Sequence, residues 1–272
     1  MTDTTGNAPV NPSEEPADLD LTSFDEDAIT GHYRNAGWVA PPLMVGMRAF
    51  GRTATTGVEN LRMEGPVIVA AYHASYLDPL VVGIDMWKRG RLPHFLAKSG
   101  LFTGFIGTVL RGVGQIPVLR GSKRAVDSLH YARRALAAGE AVVVYPQGTV
   151  TKDPDLWPEA SKTGLARLAL VTGAPIVPVV HWGLDSRMPV GAKIPRPHPR
   201  HTTLLHYGEE IHYEDIADGE APVHDLTDRI TSHLAAHLAR LSGRPMPQRF
   251  VAALQADPHV STPPPLAEEE QA

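Results

Sequence analysis

Short apolar runs alternate with amphipathic segments along most of this chain. PVIVAAY (66–72), AVVVYP (141–146) and PIVPVV (175–180) are apolar runs of strand length. Runs this short and this rich in Val and Ile read as strands buried on both faces. HFLAK (94–98), GQIPVL (114–119) and TTLLHYG (202–208) are further strand candidates. Pro178 interrupts one run, and its missing N–H predicts an edge position or a bulge there.

Between the strands, four segments carry apolar residues at helical spacing: 78–87, 123–139, 162–173 and 225–241. Asp78 as N-cap and Pro79 as first helical residue start the earliest of them, and Gly139 closes the second. PPLMVGMRAFGR (41–52) and LFTGFIGTVL (101–110) are two more apolar helices, each flanked by basic residues. Strands alternating with helices predict an α/β fold: a single domain with a central mixed, largely parallel sheet flanked by helices, spanning 29–258. Residues 1–28 and 259–272 are polar and proline-containing and are predicted to be disordered tails.

Charge sharpens this division. The 272 residues carry 25 Lys and Arg against 30 Asp and Glu, a net charge of −5. The first tail holds eight acids and no Lys or Arg, and the last holds three Glu and no base, so the body between them is net basic. A basic body suits anionic partners such as lipid head groups, phosphates or nucleic acid. There is no cysteine, which excludes disulfides, thiolate metal sites and a Cys nucleophile and fits a reducing cytoplasm. No run of about 18 apolar residues predicts a spanning helix. The N-terminus has neither the basic nor the apolar region of a secretory signal.

The candidate chemistry sits at the end of the first strand. In AYHASYLDP (71–79), His73 is followed five residues later by Asp78. A strand-end imidazole is a suitable general base near neutral pH, and a carboxylate bonded to one ring nitrogen fixes its tautomer. Taken alone, the pair reads more readily as a buried His beside a helix N-cap. Three further elements follow in order: GQIPVLR (114–120), YPQGT (145–149) and IVPV (176–179).

Together these four blocks resemble the glycerolipid acyltransferase family, the lysophosphatidic acid acyltransferase-like enzymes. HASYLD is similar to that family's H-x4-D block, GQIPVLR to its second, YPQGT to its Phe-Pro-Glu-Gly-Thr-Arg block and IVPV to its fourth. The resemblance covers roughly residues 40–210. It implies transfer of a fatty acyl group from acyl-CoA or acyl carrier protein to a lysophospholipid hydroxyl, 1-acylglycerol-3-phosphate above all. The alternatives are another hydroxyl acceptor, a non-catalytic lipid-binding homologue, or a hydrolase. His73 would deprotonate the hydroxyl and Asp78 would orient His73. Arg120 would bind the acceptor's phosphate in the second block, with Gly114 at that block's start. Gln147, Gly148 and Thr149 would line the acceptor site, and Pro178 would shape the acyl channel. No cofactor, metal or nucleic acid is implied. The place of action would be the cytoplasmic side of a membrane, with peripheral attachment.

Two departures concern the third block. Gln147 stands where the family usually has Glu, and Val150 where it usually has Arg. Leu119 also replaces a frequent Asp. Other signals carry less. Gly112-x-Gly114 lacks a third Gly and precedes a strand, so it is no dinucleotide loop. His233 and His237 lie four apart without a completing carboxylate and read as packed or solvated. No G-x-S-x-G elbow occurs, and Ser75 reads as a turn residue.

Overall fold

A computed structural model describes residues 23–118, 125–189, 191–192, 194–217 and 219–260. In chain order the elements are α1 (Glu26–Met47), β1 (Arg52–Thr56), β2 (Val67–Ala71), α2 (Asp78–Lys88), β3 (Pro93–Lys98), α3 (Gly104–Gly112) and β4 (Ile116–Val118). There follow α4 (Ala125–Ala137), β5 (Ala141–Val144), α5 (Gly164–Thr172), β6 (Ile176–Trp182), β7 (Thr202–Tyr207), α6 (Glu214–Ala217), α7 (Pro222–Ser242) and α8 (Val251–Gln255). The strands form one seven-stranded sheet in the order β1-β7-β6-β2-β5-β3-β4. Every neighbouring pair is parallel except β6–β7, which is antiparallel. The predicted mixed, largely parallel α/β sheet is therefore present.

The alternation of side chains along a strand divides the core in two. Ile68, Ala70, Val142, Val144, Ile176 and Val180 pack on one face against α4, α5, α7 and α8. Val67, Val69, Ala71, Val143, Val177 and Val179 pack on the other, against Val82 and Met86 of α2. The central strands are apolar at both parities because both faces are covered. The sheet's edges are modest: β1 is the polar, mostly exposed RTATT and β4 is three residues long. Short, polar edges discourage pairing with other chains.

Three expectations change. Pro178 is neither at an edge nor at a bulge: β6 lies between β7 and β2, with Ala70 opposite Pro178 in the parallel ladder. The missing N–H is tolerated because it falls on the last rung toward β7, where Gly208 donates to the Pro178 carbonyl at 2.8 Å. Asp78 is the first residue of α2 rather than its N-cap, which is Leu77. Residues 41–52 are not a separate helix. They are the end of α1, a short 3-10 turn over Arg48–Phe50 and the start of β1. The prolines at 41 and 42 lie within α1, which sequence reading alone would break there. At the N-terminal boundary, Asp25 caps α1 by accepting from the Ala28 N–H, and Phe24 is buried.

Candidate active site

The α2 face of the sheet carries the site. Tyr72 and His73 directly follow β2, and side-chain alternation sends His73 to the side of α2. The Thr151 N–H donates to the His73 carbonyl at 2.8 Å, so the residues just after the third block are tied to the first. Asp78, at the start of α2, is fully buried. His73 Nδ1 stands 2.9 Å from Asp78 Oδ2, and the same oxygen accepts the N–H groups of Ala74 at 2.8 Å and Ser75 at 2.9 Å. Burial opposes ionisation of Asp78. His181 and then His73 outweigh it, and the carboxyl is held below its ordinary range. The pair is thus an ionised carboxylate orienting an imidazole.

Most of the residues forecast for the first and third blocks meet here, although Gln147 does not line the cavity. His73, Gly148 and Thr149 line one cavity of about 640 Å³ with Tyr145 and Val150. Its apolar wall comes from Val39 and Leu43 of α1, Leu80 and Trp87 of α2, and Val109 and Leu110 of α3. The Tyr145 ring lies 4.2 Å from the His73 ring and stacks on Phe95 at 6.2 Å. Gly148 has φ +72, and a Cβ there would meet Lys162 Nζ at 3.2 Å. The Lys162 ammonium therefore overhangs the third-block turn. Gln147 is buried, and both its amide atoms lack a hydrogen-bond partner. Val150 is buried in the cavity wall, where the family's usual Arg would bring a cation.

The other forecast residues lie elsewhere. Gly114 does not line the cavity. It has φ +72, and a Cβ on it would fall 2.6 Å from His94 Nδ1 and 2.7 Å from His32 Nδ1, so close packing accounts for it. Pro178 sits in the sheet and not in the cavity wall. Arg120 and Leu119 lie outside the described residues.

Reading the sequence missed His181, whose Nε2 is 3.0 Å from Asp78 Oδ1 at 2% exposure. The available signal was its parity: it follows Val177 and Val179 in an otherwise apolar strand. It also missed Lys98 at the cavity rim and Lys162. His233 and His237 are packed. His233 Nε2 lies 2.7 Å from Asp257 Oδ2, and His237 fills the space beside Gly208.

Residues 52–182 match the acyltransferase family model, a span that runs from β1 through β6 and includes His73, Asp78 and the third block. That span is just under half of the chain, and over it the chain resembles the acyltransferase family. It is 31% identical over 147 residues to a chloroplastic 1-acyl-sn-glycerol-3-phosphate acyltransferase of Brassica napus, covering 53% of this chain and 41% of that protein. The corresponding Arabidopsis thaliana protein is 31% identical over 140 residues, covering 50% and 38%. The match thus spans about two fifths of these relatives' length. The crystal structure of the 1-acyl-sn-glycerophosphate acyltransferase PlsC from Thermotoga maritima superimposes with a TM-score of 0.58 over 80% of each chain. At 22% identity that likeness is one of fold.

Proposed function

We propose that this chain moves a fatty acyl group from an acyl thioester, acyl-CoA or acyl carrier protein, to the hydroxyl of a lysophospholipid, with 1-acylglycerol-3-phosphate as the expected acceptor. One observation carries the reading: the His73–Asp78 pair opens onto an apolar cavity of about 640 Å³. That volume falls within the roughly 300–1,000 Å³ typical of ligand pockets. The chain's resemblance to 1-acyl-sn-glycerol-3-phosphate acyltransferases supports the acceptor class.

The chemistry follows from the tautomer. Asp78 holds a proton on His73 Nδ1, which leaves Nε2 to take the acceptor's hydroxyl proton. The oxygen attacks the thioester carbonyl, the C–S bond breaks as the tetrahedral intermediate collapses, and the thiolate leaves with the proton from His73. The acyl chain lies along the apolar wall between α1, α2 and α3. Cations at Lys98 and Lys162 stand near the turn where an acceptor phosphate would arrive. Lys162 offers the positive charge that Val150 does not, and the buried Gln147 amide has donor and acceptor capacity to give to the head group.

Attachment to a membrane surface belongs to this reading. Trp38 and Val45 on α1, and Phe105 and Ile106 on the adjacent α3, are 79%, 65%, 84% and 63% exposed. Lys98 and Arg111 flank them, and apolar faces edged by bases suit an anionic interface. Among the described residues, no helix is long and apolar enough to cross a membrane.

The test is incubation of purified protein with labelled acyl-CoA and a panel of lysolipids, with products read by mass spectrometry. Transfer to lysophosphatidate supports the proposal. Release of free fatty acid alone makes the protein a hydrolase, and binding without turnover makes it a lipid-binding homologue.

A further inference from the structure

We propose that His181 is a positioning residue for the base: it grips Asp78 from the side opposite His73 and sets how much of the carboxylate's charge His73 feels. The inference rests on the reading of His73 as the base and extends it to a residue outside the four sequence blocks.

The sheet explains why this residue arrives here. β2 and β6 are parallel neighbours, with Ala71 opposite Val179. Continuing that register two residues places His73 level with His181. Equal parity puts both side chains on the α2 face. Asp78 opens α2 just above them and meets one imidazole on each carboxylate oxygen: His73 Nδ1 at 2.9 Å from Oδ2 and His181 Nε2 at 3.0 Å from Oδ1. The two oxygens are not equally served. Oδ2 takes two backbone N–H groups besides His73, whereas Oδ1 makes no straight hydrogen bond and has His181 as its close partner. The His181 approach is close but off-axis, so it acts first as a charge–dipole contact. A fully buried carboxylate oxygen without any donor is costly, which gives the contact a purpose.

Tyr145, beyond β5, is pushed well above the usual phenol range, first by burial and then by Asp78. Tyr72, beyond β2, lies with its ring 5.2 Å from that of His181 and is also pushed up, chiefly by burial and then by Asp78. Both phenols are neutral at physiological pH. Asp78 is therefore the anion bonded to His73, Lys98 and Lys162 are the cations of the same cavity and turn, and His181 shares Asp78. Without the His181 donor, the carboxylate's charge is shared only by His73 and the Ala74 and Ser75 N–H groups, so more of it falls on His73. His73 then binds its proton more tightly, so a higher pH is needed to free the base.

The experiment compares His181→Leu, His181→Phe and His181→Gln with wild type and with His73→Ala. Oleoyl-CoA and 1-oleoyl lysophosphatidate serve as substrates, and melting curves confirm folding. Leu and Phe remove the donor, Phe keeps a ring, and Gln keeps an N–H. The non-donor variants should lose roughly ten- to a hundredfold in kcat with little change in KM. The acid limb of their kcat/KM profile should move up by about half a unit or more. Gln should recover most of the loss. A substrate-free arm follows the imidazole NMR signal that disappears in His73→Ala; its titration should shift upward in Leu and Phe and return in Gln. Folded Leu or Phe variants with an unmoved acid limb and an unmoved His73 titration overturn the role of His181. His73→Ala keeping more than a tenth of the wild-type rate overturns the base itself, whatever the His181 variants do.

Discussion

Among the described residues two histidine–aspartate pairs are joined by a straight hydrogen bond, and they teach different things. His233 and Asp257 are the tighter, 2.7 Å apart, with Arg229 Nε 3.6 Å from the same oxygen and the His259 N–H 3.0 Å from the other. This pair ties the segment after α8 to the closing helix α7, and neither residue lines the cavity. His73 and Asp78 are slightly longer at 2.9 Å but open onto the apolar cavity. A third imidazole, His94, spends both ring nitrogens, on the Gly114 carbonyl at 2.8 Å and on Glu140 at 3.3 Å. A short His–carboxylate distance is therefore not what marks a base. What matters is whether the second ring nitrogen faces room for a reactant.

The largest break in the comparison is kinetic. His73→Ala should lower kcat by about two to four powers of ten and leave the melting temperature nearly unchanged. His233→Ala should do the reverse, costing about 1–3 kcal/mol of stability with transfer rate intact. Activity and thermal melts on the two purified variants separate the roles, and similar profiles for both would erase the distinction.

Next comes Gly114, which the second block suggested for substrate binding. Its φ of +72 and the closeness of His94 and His32 make Gly114→Ala destabilising by roughly 1–3 kcal/mol, with KM for both substrates preserved. A raised KM at unchanged stability would return Gly114 to the binding site.

A smaller effect is expected at the third-block turn. Lys162→Ala should raise KM for lysophosphatidate roughly two- to fivefold, because an exposed ion pair is worth little. A neutral lysolipid acceptor should be unaffected. Gln147→Glu should shift the same acceptor ratio by placing a negative charge in that turn, next to Gly148 of the cavity wall. Equal ratios across wild type and both variants would take specificity away from this loop.

The smallest effect concerns acid. Burial raises the Asp257 carboxyl, but the hydrogen bond from His233 and the His259 N–H outweigh it and hold the pKa below its ordinary 3.8. A depressed carboxyl contributes stability above the unfolded value, and that stability is lost as pH falls through the folded one. Asp257→Asn should therefore flatten the fall in melting temperature below about pH 4 while transfer at pH 7 persists. Asp78 is depressed likewise, so Asp78→Asn should flatten the same acid fall and, unlike Asp257→Asn, also lower activity.

Much of this was legible from local pattern. Each strand of the parallel core was readable from its apolar run, and the helices from their spacing, because both faces of this sheet are covered and the periodicity is local. His73 and Asp78 were readable because five residues of one turn bring them together. α1 was not, since its Pro41 and Pro42 read as a break and packing against α2 and α3 holds it. Nor was β1, a polar edge strand whose partner β7 lies some 150 residues later.

What the chain alone determined, then, is the set of elements and the four blocks whose residues are near in sequence. Only the tertiary structure decided strand order, and with it everything that depends on adjacency. The place of β6 beside β2 makes Pro178 tolerable in a central strand and lifts His181 to Asp78 across a hundred residues of chain. The meeting of α1, α2 and α3 makes the cavity. The physical reason is the same in each case. Periodicity reports which side of an element is buried, whereas a site is made by which buried sides face each other, and no short-range pattern records that.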